Sequence, residues 1–215
     1  MTVDRTAEPN VGAEPEGEVI TLADGGRILV RQLLPSDRDE LVRGYHALSA
    51  EARRLRFFQA PEHLSEPLID YLMDVDDQDR AAVVAFAIDD PDRPGVGLAR
   101  YVRDPIDPTC AEAAVTVLDD HQKRGIATAL LWRLAATARE NGIHTFTASV
   151  MWENRELLDG LRAFGADVTP GEPGVALVRI AIPDPDVELP ESDLHRALRV
   201  FASRFGVRAD RRLPR

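Results

Sequence analysis

Ala113-Ala114-Val115-Thr116-Val117-Leu118-Asp119-Asp120-His121-Gln122-Lys123-Arg124-Gly125-Ile126-Ala127 decides the reading of this chain. Its first six residues are apolar and β-branched with the alternation of a strand, while Thr128 to Glu140 repeats its apolar positions at helical spacing. A strand that turns through a glycine into a helix start makes an anion site. The first helical turn carries free N–H groups and a partial positive charge, and a glycine there lets the backbone come close to its guest. A phosphate is the expected guest. A Walker loop needs Lys-Ser/Thr after its glycines and a dinucleotide fingerprint needs three glycines, so neither of these describes the turn.

Downstream, Asn141-Gly142 stops the helix and His144 to Met151, rich in β-branched residues, reads as the next strand. Asn154 to Phe164 then reads as a helix with an apolar face, closed by Gly165, and Gly174 to Ile182 as a last strand. Upstream, Val19 to Leu22 and Arg27 to Gln32 flank the hairpin signal Asp24-Gly25. Pro35 to Glu40 reads as an N-cap with acidic first-turn residues, opening a helix to about Leu48. Ser49-Ala50-Glu51 opens a second helix and Ser65-Glu66-Pro67 a third. Arg80 to Ile88 and Gly95 to Val102 read as hairpin partners, and Cys110 to Leu118 as the strand that feeds the turn. Strands followed by β-α-β-α-β imply a mixed α/β sheet with its ligand at the carboxyl edge of the central strands.

Three stretches are expected by position: a tail over 1–17, rich in Glu, Pro and Gly; a folded domain over 18–183; and a C-terminal extension over 184–215. Leu194, Leu198, Phe201 and Phe205 give that extension an amphipathic helix ahead of a basic tail. Docking on its own domain or in a homodimer is favoured for this helix over a membrane surface, because one short helix holds to lipid only marginally.

The net charge of −11 argues against nucleic acid as the main partner. No apolar run approaches the roughly 18 residues of a membrane span, and the first residues lack a signal peptide's basic start and apolar centre, so a cytoplasmic location is expected. Cys110, the single cysteine, reads as a small strand residue rather than a nucleophile. His46, His63, His144 and His195 show no metal-ligand spacing, so no metal is expected. Of 26 basic residues 25 are arginine and one, Lys123, is lysine.

The Q-x-x-G-x-A pattern at Gln122, Gly125 and Ala127 resembles the acyl-CoA pyrophosphate loop of the GNAT N-acyltransferase superfamily, and the helix opened by Asn154 resembles that superfamily's next motif. Glu112-Ala113-Ala114-Val115-Thr116-Val117-Leu118-Asp119-Asp120-His121-Gln122 and Leu48-Ser49-Ala50-Glu51-Ala52-Arg53-Arg54-Leu55-Arg56-Phe57-Phe58 resemble runs of the bacterial Pat-type protein lysine acetyltransferases. The resemblance implies a GNAT fold with acetyl-CoA as co-substrate, a primary amine as acceptor, most simply a protein lysine, and Glu112 as the general base. A base is needed because deprotonating a lysine at pH 7 costs roughly 4 to 5 kcal/mol. Asp119, Asp120 and His121 are alternative bases.

In that frame, Val115 and Val117 would offer backbone groups to the pantetheine arm. Arg124, Gly125, Ile126, Ala127 and Thr128 would present N–H groups to the pyrophosphate, with Gln122 and Arg124 adding side-chain bonds. Asn154 would bond pantetheine or cap its helix. Many members carry a tyrosine seven residues after this asparagine, taken as the acid for the leaving thiolate; here the residue is Leu161. The alternative functions are acetylation of a small-molecule amine and a non-catalytic acyl-CoA-binding regulator.

Overall fold

A computed structural model describes residues 17–58 and 61–182. The expected tail and the expected C-terminal helix, with its homodimer reading, lie outside the described residues. The elements run β1 (Glu18–Thr21), β2 (Arg27–Gln32), α1 (Arg38–Ala47), α2 (Ala50–Phe57), α3 (Glu66–Met73), β3 (Arg80–Ala87), β4 (Gly95–Arg103), β5 (Cys110–Val117), α4 (Ile126–Glu140), β6 (Thr145–Met151), α5 (Arg155–Ala163), β7 (Asp167–Pro170) and β8 (Val175–Ala181). They build one sheet in the order β1-β2-β3-β4-β5-β6-β8-β7, antiparallel throughout except for the parallel β5–β6 pair. This is the mixed α/β architecture expected, and most boundaries fall within two residues of expectation.

Helix α4 covers one face of the sheet. Ile126, Leu130, Leu134 and Ala138 recur at helical spacing and pack on Val83, Ala85, Ala99 and Tyr101, alternate residues of β3 and β4. Gly97 makes the approach possible, since a Cβ there would lie 2.8 Å from Leu130 Cδ1 and 3.2 Å from the Thr116 carbonyl. On the opposite face Leu33, Ala82 and Val84 gather with Met73, Phe86 and Leu98 beneath α1 and α3. A third cluster, Val150, Leu158, Ala176 and Val178, seats α5 on β6 and β8.

Two local features were not anticipated. Asp37 makes no cap hydrogen bond to its helix; its carboxylate accepts both guanidinium nitrogens of Arg31 at 2.7 Å and the Leu34 N–H at 2.8 Å. Both side chains are over 90% buried, so the same carboxylate holds a buried charge pair and the backbone at the start of the turn. The edge strand β7, where Asp167–Pro170 pairs only with β8, has no counterpart in the sequence reading: it is short, mostly exposed and ends in proline.

Candidate active site

The central strands part in the middle of the molecule. β5 pairs with β4 along Ala111–Val117, yet its parallel pairing with β6 covers only Cys110–Glu112 against Thr145–Thr147. β6 continues along β8 to Met151, so the sheet opens as a fork beyond Glu112. The Leu118 N–H donates to the Val96 carbonyl on the β4 side. By strand alternation the Val115 and Val117 N–H and C=O groups therefore face the fork. The Gln122 side-chain amide donates to the Val117 carbonyl at 3.2 Å, while Val115 meets no strand on that side. An amide-rich ligand arm entering the fork would find the Val115 groups open and the Val117 carbonyl shared with Gln122.

The turn closes one end of the fork. After one 3-10 turn at Asp119–His121, Lys123 (φ 60°) and Gly125 (φ 94°) adopt left-handed backbone and α4 begins at Ile126. Gly125 occupies the N-cap with no side chain to satisfy the helix donors, and the first helical bond runs from the Ala129 N–H to the Gly125 carbonyl. The N–H groups of Ile126, Ala127 and Thr128 thus point out along the axis, where an anion is stabilised. The Thr128 hydroxyl is also buried without a partner among the described residues. A pyrophosphate fits this cradle.

The Arg124 guanidinium is engaged elsewhere. Its Nε donates to Asp24 at 2.5 Å and its Nη1 to His121 Nδ1 at 3.0 Å, tying the loop to the β1–β2 turn. Gly26 leaves room for it, because a Cβ there would run into Nη2. Burial and then the charge of Arg124 push the His121 pKa down, so the ring is a neutral acceptor near pH 7. Lys123 pairs with Glu156 at the start of α5, 3.5 Å away and largely exposed.

Glu112 stands at the last paired rung of the fork, exposed, across from Val102 on β4 and Thr147 on β6. Alternation puts it on the face shared by Ala114, Thr116 and Leu118, opposite α4. Helix α2 crosses that face. At one end the Ser49 N–H and hydroxyl donate to the Asp119 carboxylate beyond β5; further along, Arg54 pairs with Glu153 and approaches Met151 Sδ at the end of β6. Beside α2 opens a cavity of about 90 Å³, lined by Tyr45, Leu48, Arg56, Phe57, Thr116 and Leu118 among others. Of the alternative bases, Asp119 and His121 are thus held in hydrogen bonds, and Asp120 is exposed.

Asn154 caps α5, accepting from the Leu157 N–H at 3.4 Å. Leu161 packs with Val150 and Leu158 in the α5 cluster, so the position of the usual tyrosine is filled by a core contact. Cys110 is buried, its thiol donating to Asp107. The sequence reading missed Asp24 and Gly26 as supports of the loop and Arg100 beneath the site. Only the Asp24-Gly25 turn signal pointed toward any of them, and a turn signal names no distant partner.

The forked sheet, the open-ended α4 cradle and the glutamate at the fork define an acyltransferase of the GNAT type. The chain belongs to the Acetyltransferase (GNAT) family, whose pattern matches residues 43–163. Over 165 residues it is 33% identical to acetyltransferase PA5475 of Pseudomonas aeruginosa, covering 76% of this chain and 88% of that protein. It is 30% identical over 190 residues to acetyltransferase Pat of Mycolicibacterium smegmatis, covering 88% of this chain but only 56% of that relative. The crystal structure of the GNAT domain of S. lividans PAT superposes with a TM-score of 0.69 at 30% identity, over 77% of this chain and 96% of that domain.

Proposed function

We propose that this acetyltransferase moves an acetyl group from acetyl-CoA directly to a protein lysine amine, with Glu112 as general base. The observation that carries the reading is the place of Glu112 on the last rung before the sheet opens. A ligand arm lying along Val115 and Val117 would end beside this carboxylate, and the acceptor would arrive from the α2 face. Bound acetyl-CoA supplies the activated thioester. The chain's own residues supply the rest: the first turn of α4 holds the pyrophosphate through backbone N–H groups, and Asn154 offers its side-chain amide to the arm while capping α5.

Glu112 takes a proton from the acceptor ammonium, directly or through one water, and leaves a neutral nucleophile. The amine nitrogen forms the new C–N bond as the C–S bond breaks, and the nitrogen sheds its second proton to water. The departing sulfur takes its proton from solvent, since Leu161 has none to give. No helix among the described residues is long and apolar enough to cross a membrane, and a cytoplasmic site of action belongs to this proposal.

Purified protein given acetyl-CoA with either a lysine-rich protein extract or a panel of small amines, read by coenzyme A release, tests the acceptor class. Turnover on the extract with mass gain at lysines is the expected result. Turnover confined to small amines would overturn the lysine assignment, and coenzyme binding without turnover on anything would favour a regulator.

A further inference from the structure

Arg56 is the one arginine of the Leu48–Phe58 run that faces the cavity beside α2. It is partly buried, lies 4.9 Å from the Phe57 ring centre, and makes no hydrogen bond or ion pair among the described residues. That is unusual in a chain with 37 acidic residues against 26 basic ones. Other arginines find carboxylates: Arg27 meets Asp89, Arg38 meets Glu66 and Asp70, and Arg103 meets Asp79.

A second guanidinium lies beside it. Arg100 is 4% exposed, stacks 4.4 Å over the Tyr71 ring and donates one bond to the Tyr71 carbonyl, while its Nε is buried without a partner. On β4 and β5, Arg100 pairs with Ala114 and Val102 with Glu112, so Arg100 and Glu112 are diagonal neighbours on the face below α2. Arg56 feels both of them: burial and the charge of Arg100 push its pKa down, and Glu112 partly restores it. Two cations thus stand near one carboxylate, and only Arg56 of the three faces the cavity. One further negative charge would neutralise the group, and a partly desolvated charge left unpaired is costly.

We infer that Arg56, backed by Arg100, is an anion subsite of the acceptor face that binds a carboxylate carried by the acceptor next to its reacting amine; for a protein acceptor, this is a Glu or Asp beside the lysine. The inference rests on the lysine acetylation reading. A carboxylate suits the site because its two oxygens match the planar guanidinium fork and its single charge balances the excess, which a dianionic phosphate would overshoot. Arg56 thus acts on acceptor choice, whereas Glu112 acts on the proton.

Two measurements test it. The first compares kcat/KM for two lysine peptides that differ only in Glu or Gln beside the lysine. Wild type favours the Glu peptide by about ten- to hundredfold, the range of one charge-assisted hydrogen bond, the preference falls to near unity in R56Q, and R56K retains part of it. Reading a ratio within each variant cancels any general loss of activity. The second follows the Tm of the coenzyme A-loaded protein with added glutarate; the Tm rises in wild type and not in R56Q. Equal use of both peptides together with no glutarate shift overturns the anion subsite and leaves lysine acetylation standing. A glutarate shift that depends on Arg56, with no turnover of either peptide, sinks the lysine reading and supports the subsite.

Discussion

The Ser49 hydroxyl and backbone N–H both donate to the carboxylate of Asp119, at 2.8 and 3.0 Å, joining residues 70 positions apart. The same hydroxyl accepts from the Ala52 N–H at 3.1 Å and so caps α2. One side chain thus starts the helix over the acceptor face and pins it to the end of the strand that feeds the loop. Ser49→Ala is expected to lower unfolding free energy by about 1 to 2 kcal/mol in urea denaturation. Asp119→Ala should have a smaller effect, and the double variant should lose less than the sum, because the two changes remove one shared contact. Strict additivity would show that the pair does not couple α2 to the loop.

The buried Arg31–Asp37 pair should set part of the acid limit of the fold. Burial pushes the Asp37 carboxyl up, but the Arg31 hydrogen bonds, the Leu34 N–H and the Arg31 charge outweigh it and hold its pKa below the usual carboxylate range. A group lowered in the folded state gives stability that is present above its unfolded pKa of about 3.9 and is lost as pH falls through the folded value. Asp37→Asn should cost about 3 to 5 kcal/mol near neutral pH, since it leaves a buried guanidinium uncompensated. The gap between variant and wild type should narrow in denaturant titrations below about pH 4. A gap independent of pH would contradict the assignment.

Gly125 holds φ 94° at the N-cap of α4, where a side chain would strain the backbone and crowd the anion cradle. Gly125→Ala should destabilise the protein by about 1 to 2 kcal/mol. It should also weaken acetyl-CoA binding by at least about tenfold in titration calorimetry, a larger effect than the strain alone explains. Unchanged affinity would mean that the pyrophosphate does not sit on this turn.

Much of the fold was legible because its signals are local. The alternation of Cys110–Val117, the glycine turn and the helical spacing after it lie within about thirty residues, and the structure places each where the sequence implied. Helices α2 and α3 were equally open to reading, each announced by a serine at its N-cap. The fork was not legible, because it exists only as a pairing register that ends at Glu112 and Thr147. Nor was the pair of Arg124 with Asp24, which lies 100 residues away. The acidic helix start over Pro35–Glu40 was legible, but not that Asp37 within it is buried in a pair with Arg31. In each case the deciding contact joins segments that only the folded chain brings together.

The role of Glu112 is decided by Glu112→Gln, read as kcat/KM with a lysine acceptor from about pH 6 to 9. The variant keeps the shape of the side chain and removes its basicity. A loss of about 10² to 10⁴ is expected near pH 7, narrowing as pH climbs toward the amine's own pKa, with acetyl-CoA affinity retained. A variant as fast as wild type across the whole range would contradict it.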